Sequence, residues 1–165
     1  MKTKKPNPGH YALFQFEQMH LNNHPQNTFT LITQNVDGLH LDAGSKNVIE
    51  MHGSLWRTQC TSCGNVKENR DSPITASLAG VGSPDIKAKD ANIPVADLPR
   101  CQPCGGLLRP CVVWFGEALD GGILDRIQET LQRRCDLLIV VGTSVCVQPH
   151  KVWPLPMSTN QDESG

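Results

Sequence analysis

Cys60-Thr61-Ser62-Cys63 and Cys101-Gln102-Pro103-Cys104 form two Cys-x-x-Cys knuckles, the spacing at which paired thiolates can converge about 2.3 Å from one Zn2+. Four sulfurs fill every tetrahedral position and leave no place for an activated water, so one ion held by Cys60, Cys63, Cys101 and Cys104 would be structural. Four unrelated buried thiols or two redox pairs are the alternatives, and Gly64 and Gly105, one after each second cysteine, favour the knuckle.

His52 lies between Met51 and Gly53 at the end of a short apolar stretch. An imidazole titrates near neutrality and can take a proton from a hydroxyl within reach, although a single His can equally be structural. Gln34, Asn35, Val36 and Asp37 supply amide donors and acceptors and a carboxylate suited to a ribose or a carboxamide; an Asx turn ending a strand is the other reading. Gly142, Thr143 and Ser144 combine small residues with hydroxyls that let a backbone approach phosphate or ribose, though so short a motif also arises by chance. Val113, Trp114, Phe115, Gly116 and Glu117 read as an apolar strand running into Gly, either an edge for an extended peptide or an ordinary core strand.

The elements that must position these residues follow from pattern and punctuation. Asn7-Pro8 opens a helix over about 8–22, with Asn capping and Pro in the first turn. Residues 28–33 are β-branched and apolar and predict a buried strand, which puts the Gln34–Asp37 cluster at its C-terminal end, where open α/β sheets bind ligands. Periodicity fades from Ile49 to about Pro110, and the prolines and glycines of 71–100 read as an irregular insertion. A strand over Cys111–Phe115, a helix over 121–134 with Ile123, Ile127 and Leu131 every four residues, and a buried strand over Leu137–Val141 complete the pattern. This order predicts an α/β fold, a partial Rossmann-like parallel sheet with a smaller zinc-binding lobe inserted. Residues 6–48 and 111–154 would form the sheet domain, 49–110 the lobe and 155–165 a polar tail. Cys111, Cys135 and Cys146 would be inert core residues.

Across 165 residues, 15 Lys+Arg against 16 Asp+Glu give a net charge of −1, so no basic field favours nucleic acid as a partner. Leu137–Val141, the longest clean apolar run, is far short of the roughly 20 residues that cross a bilayer. Seven cysteines, odd in number and without an apolar leader, read as a reducing compartment. The Lys-Pro opening is a poor match to an Arg-rich transit peptide. Oligomeric state leaves no signal.

Taken in order, Gln34-Asn35-Val36-Asp37-Gly38-Leu39-His40, Ala43-Gly44-Ser45, Glu50-Met51-His52-Gly53-Ser54, the two knuckles, Val113–Glu117 and Gly142-Thr143-Ser144 resemble the sirtuin family of NAD-dependent protein deacylases. Cys60–Gly64, Ile93-Pro94, Leu98–Cys101 and Gly105–Pro110 are similar to its mitochondrial branch, which removes succinyl, malonyl and glutaryl groups from lysine. The resemblance covers residues 6 to about 154. It implies that the acyl-lysine carbonyl oxygen attacks C1′ of the nicotinamide ribose of NAD, that His52 activates a ribose hydroxyl, and that the acyl group ends on ADP-ribose. It implies NAD contacts for Gln34, Asn35, Val36, Asp37, Gly142, Thr143 and Ser144, contacts to the acyl-lysine peptide from Val113–Glu117, and a mitochondrial address, with cytosol or nucleus as alternatives. The family's Gly-rich phosphate loop and the Tyr and Arg that read an acyl carboxylate would precede Met1. From that difference the sequence predicts weak NAD binding and little activity for residues 1–165 alone. A non-catalytic zinc-binding interaction module is the alternative reading.

Overall fold

The computed structural model describes residues 4–81, 92–133 and 135–143. Helix α1 (Pro8–Asn23) starts where the capping residues place it: the Asn7 side chain accepts from the His10 backbone N–H, and Pro8 occupies the first turn. Strand β1 (Leu31–Thr33) pairs in parallel with β2 (Val48–Glu50), Leu31 opposite Val48 and Thr33 opposite Glu50, and the short helix α2 (Leu39–Asp42) connects them. A buried carboxylate locks α1 to this unit. Glu17, 1% exposed, accepts from the backbone N–H groups of Lys46 and Asn47 at 3.3–3.4 Å, just before β2.

The chain then builds a three-stranded antiparallel sheet in the order β4–β3–β5, from β3 (Gly53–Cys60), β4 (Val66–Glu68) and β5 (Leu108–Val112). This sheet lies largely within the stretch from Ile49 to Pro110 where periodicity fades, and all its strands fall outside the 71–100 segment that reads as an irregular insertion. An irregularity between Ser54 and Thr58 breaks the period-2 alternation that would mark β3 in the sequence. Single 3₁₀ turns at Ala76–Leu78 and Val95–Asp97 are the regular pieces described between β4 and β5. The parallel pair therefore runs on to Glu50, and the lobe's sheet reaches Val112.

Helix α3 (Gly121–Gln132) is capped by Asp120, whose carboxylate accepts from the Ile123 N–H. Its every-fourth-residue stripe faces the core: Ile127 is buried with Ile49 and Met51, and the partly buried Ile32, Leu119, Ile123 and Leu131 pack around them.

Three expectations are corrected. The strand over Cys111–Phe115 stops at Val112 and pairs antiparallel with β3 rather than entering a parallel sheet. Leu137–Val141 forms no strand and is exposed, from 37% at Leu138 to 84% at Val141. Its composition fits burial, yet a doubly buried strand needs a strand on each edge, and among the described residues none lies beside it. Cys135 is likewise exposed and Cys111 half-buried; Cys146 and Ser144 lie outside the described residues. Among those residues no helix is long and apolar enough to cross a membrane.

Candidate active site

The knuckles converge. The four sulfurs of Cys60, Cys63, Cys101 and Cys104 lie within 4.8 Å of one another, with Cys60–Cys104 at 3.4 Å and Cys63–Cys101 at 3.8 Å. A tetrahedral ion with bonds of about 2.3 Å needs sulfur–sulfur edges of about 3.8 Å, so the donor set and its size fit Zn2+. Each knuckle is folded by the same pair of backbone bonds. The Gly64 N–H donates to the Cys60 carbonyl and the Cys60 N–H to the Asn65 carbonyl; likewise the Gly105 N–H donates to the Cys101 carbonyl and the Cys101 N–H to the Gly106 carbonyl. Gly64 and Gly105 both adopt φ of +71°, a conformation glycine enters without strain. Backbone N–H groups of Cys63 and then Ser62 draw the Cys60 thiol down to about 6, while burial raises Cys101 and, against the Gly106 N–H, the neighbouring Cys63 and Cys60 sulfurs raise Cys104 to about 12, because close-packed thiols resist ionising together.

β3 carries this anchoring to the polar loop after β1. Along the loop, the Thr33 carbonyl accepts from Met51 N–H at 2.8 Å, the Val36 carbonyl from Leu55 N–H at 2.9 Å, and the Asp37 carbonyl from the Trp56 indole at 2.6 Å. Between them, His52 Nδ1 lies 3.1 Å from the Gln34 carbonyl oxygen. A carbonyl only accepts, so Nδ1 carries a proton in this contact and, in the neutral ring, the lone pair lies on Nε2. His52 itself sits in the turn between β2 and β3, where Gly53 at φ +80° passes too close to the Cys111 carbonyl for any Cβ.

Gln34 reaches further. Its side-chain amide donates to Thr143 Oγ1 at 3.2 Å, bringing the two polar motifs together across 109 residues, beside an exposed Gly142 at φ +68°. Asn35 is exposed and Val36 half-buried. Asp37 makes the Asx turn anticipated as the alternative, Oδ1 accepting from Leu39 N–H at 3.0 Å.

The Val113–Glu117 segment joins the same centre through the Val113 N–H, which donates to the His52 carbonyl at 2.9 Å. Trp114 to Glu117 then form a turn closed by Glu117 N–H to the Trp114 carbonyl, with Gly116 at φ +89°. The turn leaves Trp114 53% and Phe115 100% exposed. Arg109 grips it: both guanidinium nitrogens meet the Glu117 carboxylate at 2.7 and 2.8 Å, and Nη2 also donates to the Val112 carbonyl. The Arg109 hydrogen bonds, followed by the Trp114 N–H, hold the Glu117 carboxyl at about 2. Under the loop, burial raises the Glu50 carboxyl above its ordinary value while Arg57, 2.8 Å away, opposes the shift. Burial and the neighbouring His10 hold His40 low, opposed by Asp37.

Trp56, Leu55 and Arg109 escape sequence reasoning. Arg109 and Glu117 are eight apart, a spacing with no meaning in a strand, and a single Trp in a strand reads as packing.

The Sir2 family matches residues 1–149. The chain belongs to the Sir2 family. It is 54% identical over 155 residues to the NAD-dependent protein deacylase sirtuin-5, mitochondrial, of Canis lupus familiaris, covering 93% of this chain and 49% of the relative. Identity to the mitochondrial sirtuin-5B of Xenopus laevis is 52%, over the same shares of each chain. This Sir2 chain therefore spans about half the length of the curated relatives it matches. Among solved structures, a mutant Sir2 homologue in complex with ADP-ribose is similar with a TM-score of 0.66 and 40% identity, covering 89% of this chain and 48% of that one. These likenesses agree with the α/β, Rossmann-like reading and its inserted zinc lobe.

Proposed function

We propose that this Sir2-family chain carries the base and the nicotinamide-side contacts of an NAD-dependent protein-lysine deacylase. The observation that carries the proposal is the meeting at Gln34, whose carbonyl fixes the His52 tautomer while its side chain holds Thr143.

Bound NAD would supply a ribose carbon that takes the acyl-lysine carbonyl oxygen as nicotinamide departs. His52, with Nδ1 committed to Gln34, presents Nε2 to take a proton from the ribose hydroxyl. Gln34, Asn35, Val36 and Asp37 would line the nicotinamide and its ribose, and Gly142, Thr143 and Ser144 the remainder of the dinucleotide. Preorganised polar groups of this kind stabilise the charge that develops as nicotinamide leaves. Val113–Glu117 would run beside the acyl-lysine peptide. The Zn2+ held by Cys60, Cys63, Cys101 and Cys104 would supply cohesion and take no part in bond making. The relatives' names support a mitochondrial location and a protein substrate, and the resemblance to the desuccinylating branch makes succinyl-, malonyl- and glutaryl-lysine the proposed acyl classes.

The test is incubation of residues 1–165 with NAD and a panel of succinyl-, malonyl-, glutaryl- and acetyl-lysine peptides, with free nicotinamide and acylated ADP-ribose quantified by mass spectrometry. Products from the parent chain that disappear in His52→Ala support the reading. Peptide binding without turnover in both proteins favours the non-catalytic zinc module instead.

A further inference from the structure

We infer that Trp56 is a positioning residue for the Gln34–Asp37 loop, the point at which the zinc lobe sets the orientation of Asp37; the inference rests on the reading of that loop as a dinucleotide contact. Trp56 sits half-buried on β3, and its indole N–H reaches the Asp37 carbonyl at 2.6 Å. An indole nitrogen donates and cannot accept, so the bond fixes the direction of that carbonyl. The approach depends on the next residue. A Cβ at Gly38, whose φ is +72°, would lie 2.7 Å from the indole Cδ1 and 2.9 Å from Nε1. Only the bare glycine lets the ring slide under the loop.

Two further contacts make the arrangement a clasp around α2. With its carbonyl held by Trp56, Asp37 uses Oδ1 to accept from the Leu39 N–H and start the helix. Oδ2 then has no hydrogen-bond partner among the described residues and is left for a ligand hydroxyl. On the far side, the Arg70 guanidinium lies 5.3 Å from the Trp56 ring centroid and bonds Asp42, the last residue of α2, at 3.1 Å. The indole and the guanidinium stacked on it thus grip both ends of the helix. A phenylalanine at 56 would keep an aromatic ring and lose the donor, which separates positioning from packing.

The experiment compares the parent chain with Trp56→Phe, reading zinc content, hydrogen–deuterium exchange and binding of ADP-ribose by calorimetry. The expected result is unchanged zinc, faster exchange at the amides of Leu39 and Leu55, and ADP-ribose binding weakened about tenfold, the scale of one hydrogen bond. Where NAD-dependent turnover is measurable, KM for NAD rises while KM for the acyl-peptide holds. Arg70→Ala, which removes only the outer half of the clasp, gives a smaller change of the same kind. Parent-like exchange at Leu39 and Leu55 in Trp56→Phe overturns the inference, as does parent-like ADP-ribose affinity. A parent chain that shows no ADP-ribose binding even at high ligand concentration refutes the dinucleotide assignment of the loop, while faster exchange at Leu39 and Leu55 in Trp56→Phe still supports Trp56 as the positioning residue of that loop.

Discussion

The backbone carbonyl of Gln34 lies 3.1 Å from His52 Nδ1, while the side chain of the same residue is bonded to Thr143. One residue thus sets the tautomer of the proposed base through its main chain and ties down the second polar motif through its amide. The two jobs are separable by mutation because a substitution at 34 removes only the side chain.

Gln34→Ala and Thr143→Val should each weaken ADP-ribose binding several-fold, as expected for one exposed hydrogen bond of about 0.5–1.5 kcal/mol. The double variant should lose less than the sum of the two single losses, since the bond between the two side chains is counted in both. Additive losses in a calorimetric double-mutant cycle would show that the contact does not couple the motifs.

Metal analysis should return one zinc per chain. Stripping it with a chelator should erase amide protection across β3, β4 and β5, because the closing contacts of that sheet run through the knuckles. Cys101→Ser should reproduce the loss without a chelator. A sheet that stays protected in the metal-free chain refutes the structural role.

Ile127→Ala should lower the unfolding free energy by about 2–5 kcal/mol, because Ile127 is 1% exposed between Ile49 and Met51. Urea titration followed by circular dichroism measures it. Leu124→Ala, on a less buried side of α3, should cost clearly less.

The Arg109–Glu117 clamp gives a pH dependence of known sign. Glu117 is held at about 2 against an ordinary 4.5, so folding favours its ionised form. The stabilisation is complete above pH 4.5 and is lost as pH falls toward 2. Glu117→Gln should remove that part of the acid limb, and added salt should shrink it because the pair is exposed. A side-chain carbon titration of Glu117 with a midpoint near 4.5 would contradict the geometry.

Much of this chain is readable before folding. Asn7-Pro8 announces α1, the Ile123, Ile127 and Leu131 stripe announces α3, and the knuckle spacing announces the metal, since each is a local pattern with a local cause. Contacts that join distant segments leave no such trace. Nothing near Glu17 tells that its carboxylate caps the N–H groups of Lys46 and Asn47, and nothing near Trp56 tells that Asp37 lies above it. Leu137–Val141 shows the opposite failure: its composition states a preference for burial, and burial depends on neighbouring strands that composition does not supply.

The ladder of bonds from Thr33, Gln34, Val36 and Asp37 to the 51–56 segment also determines where this molecule can flex. A seam stitched at four successive points cannot serve as a pivot, so the metal-bearing sheet and the polar loop must travel as one rigid piece. The stretch between Val113 and Asp120 is held differently, by the Val113 N–H on the His52 carbonyl, the Arg109 clip on Glu117 and Leu119 against the core.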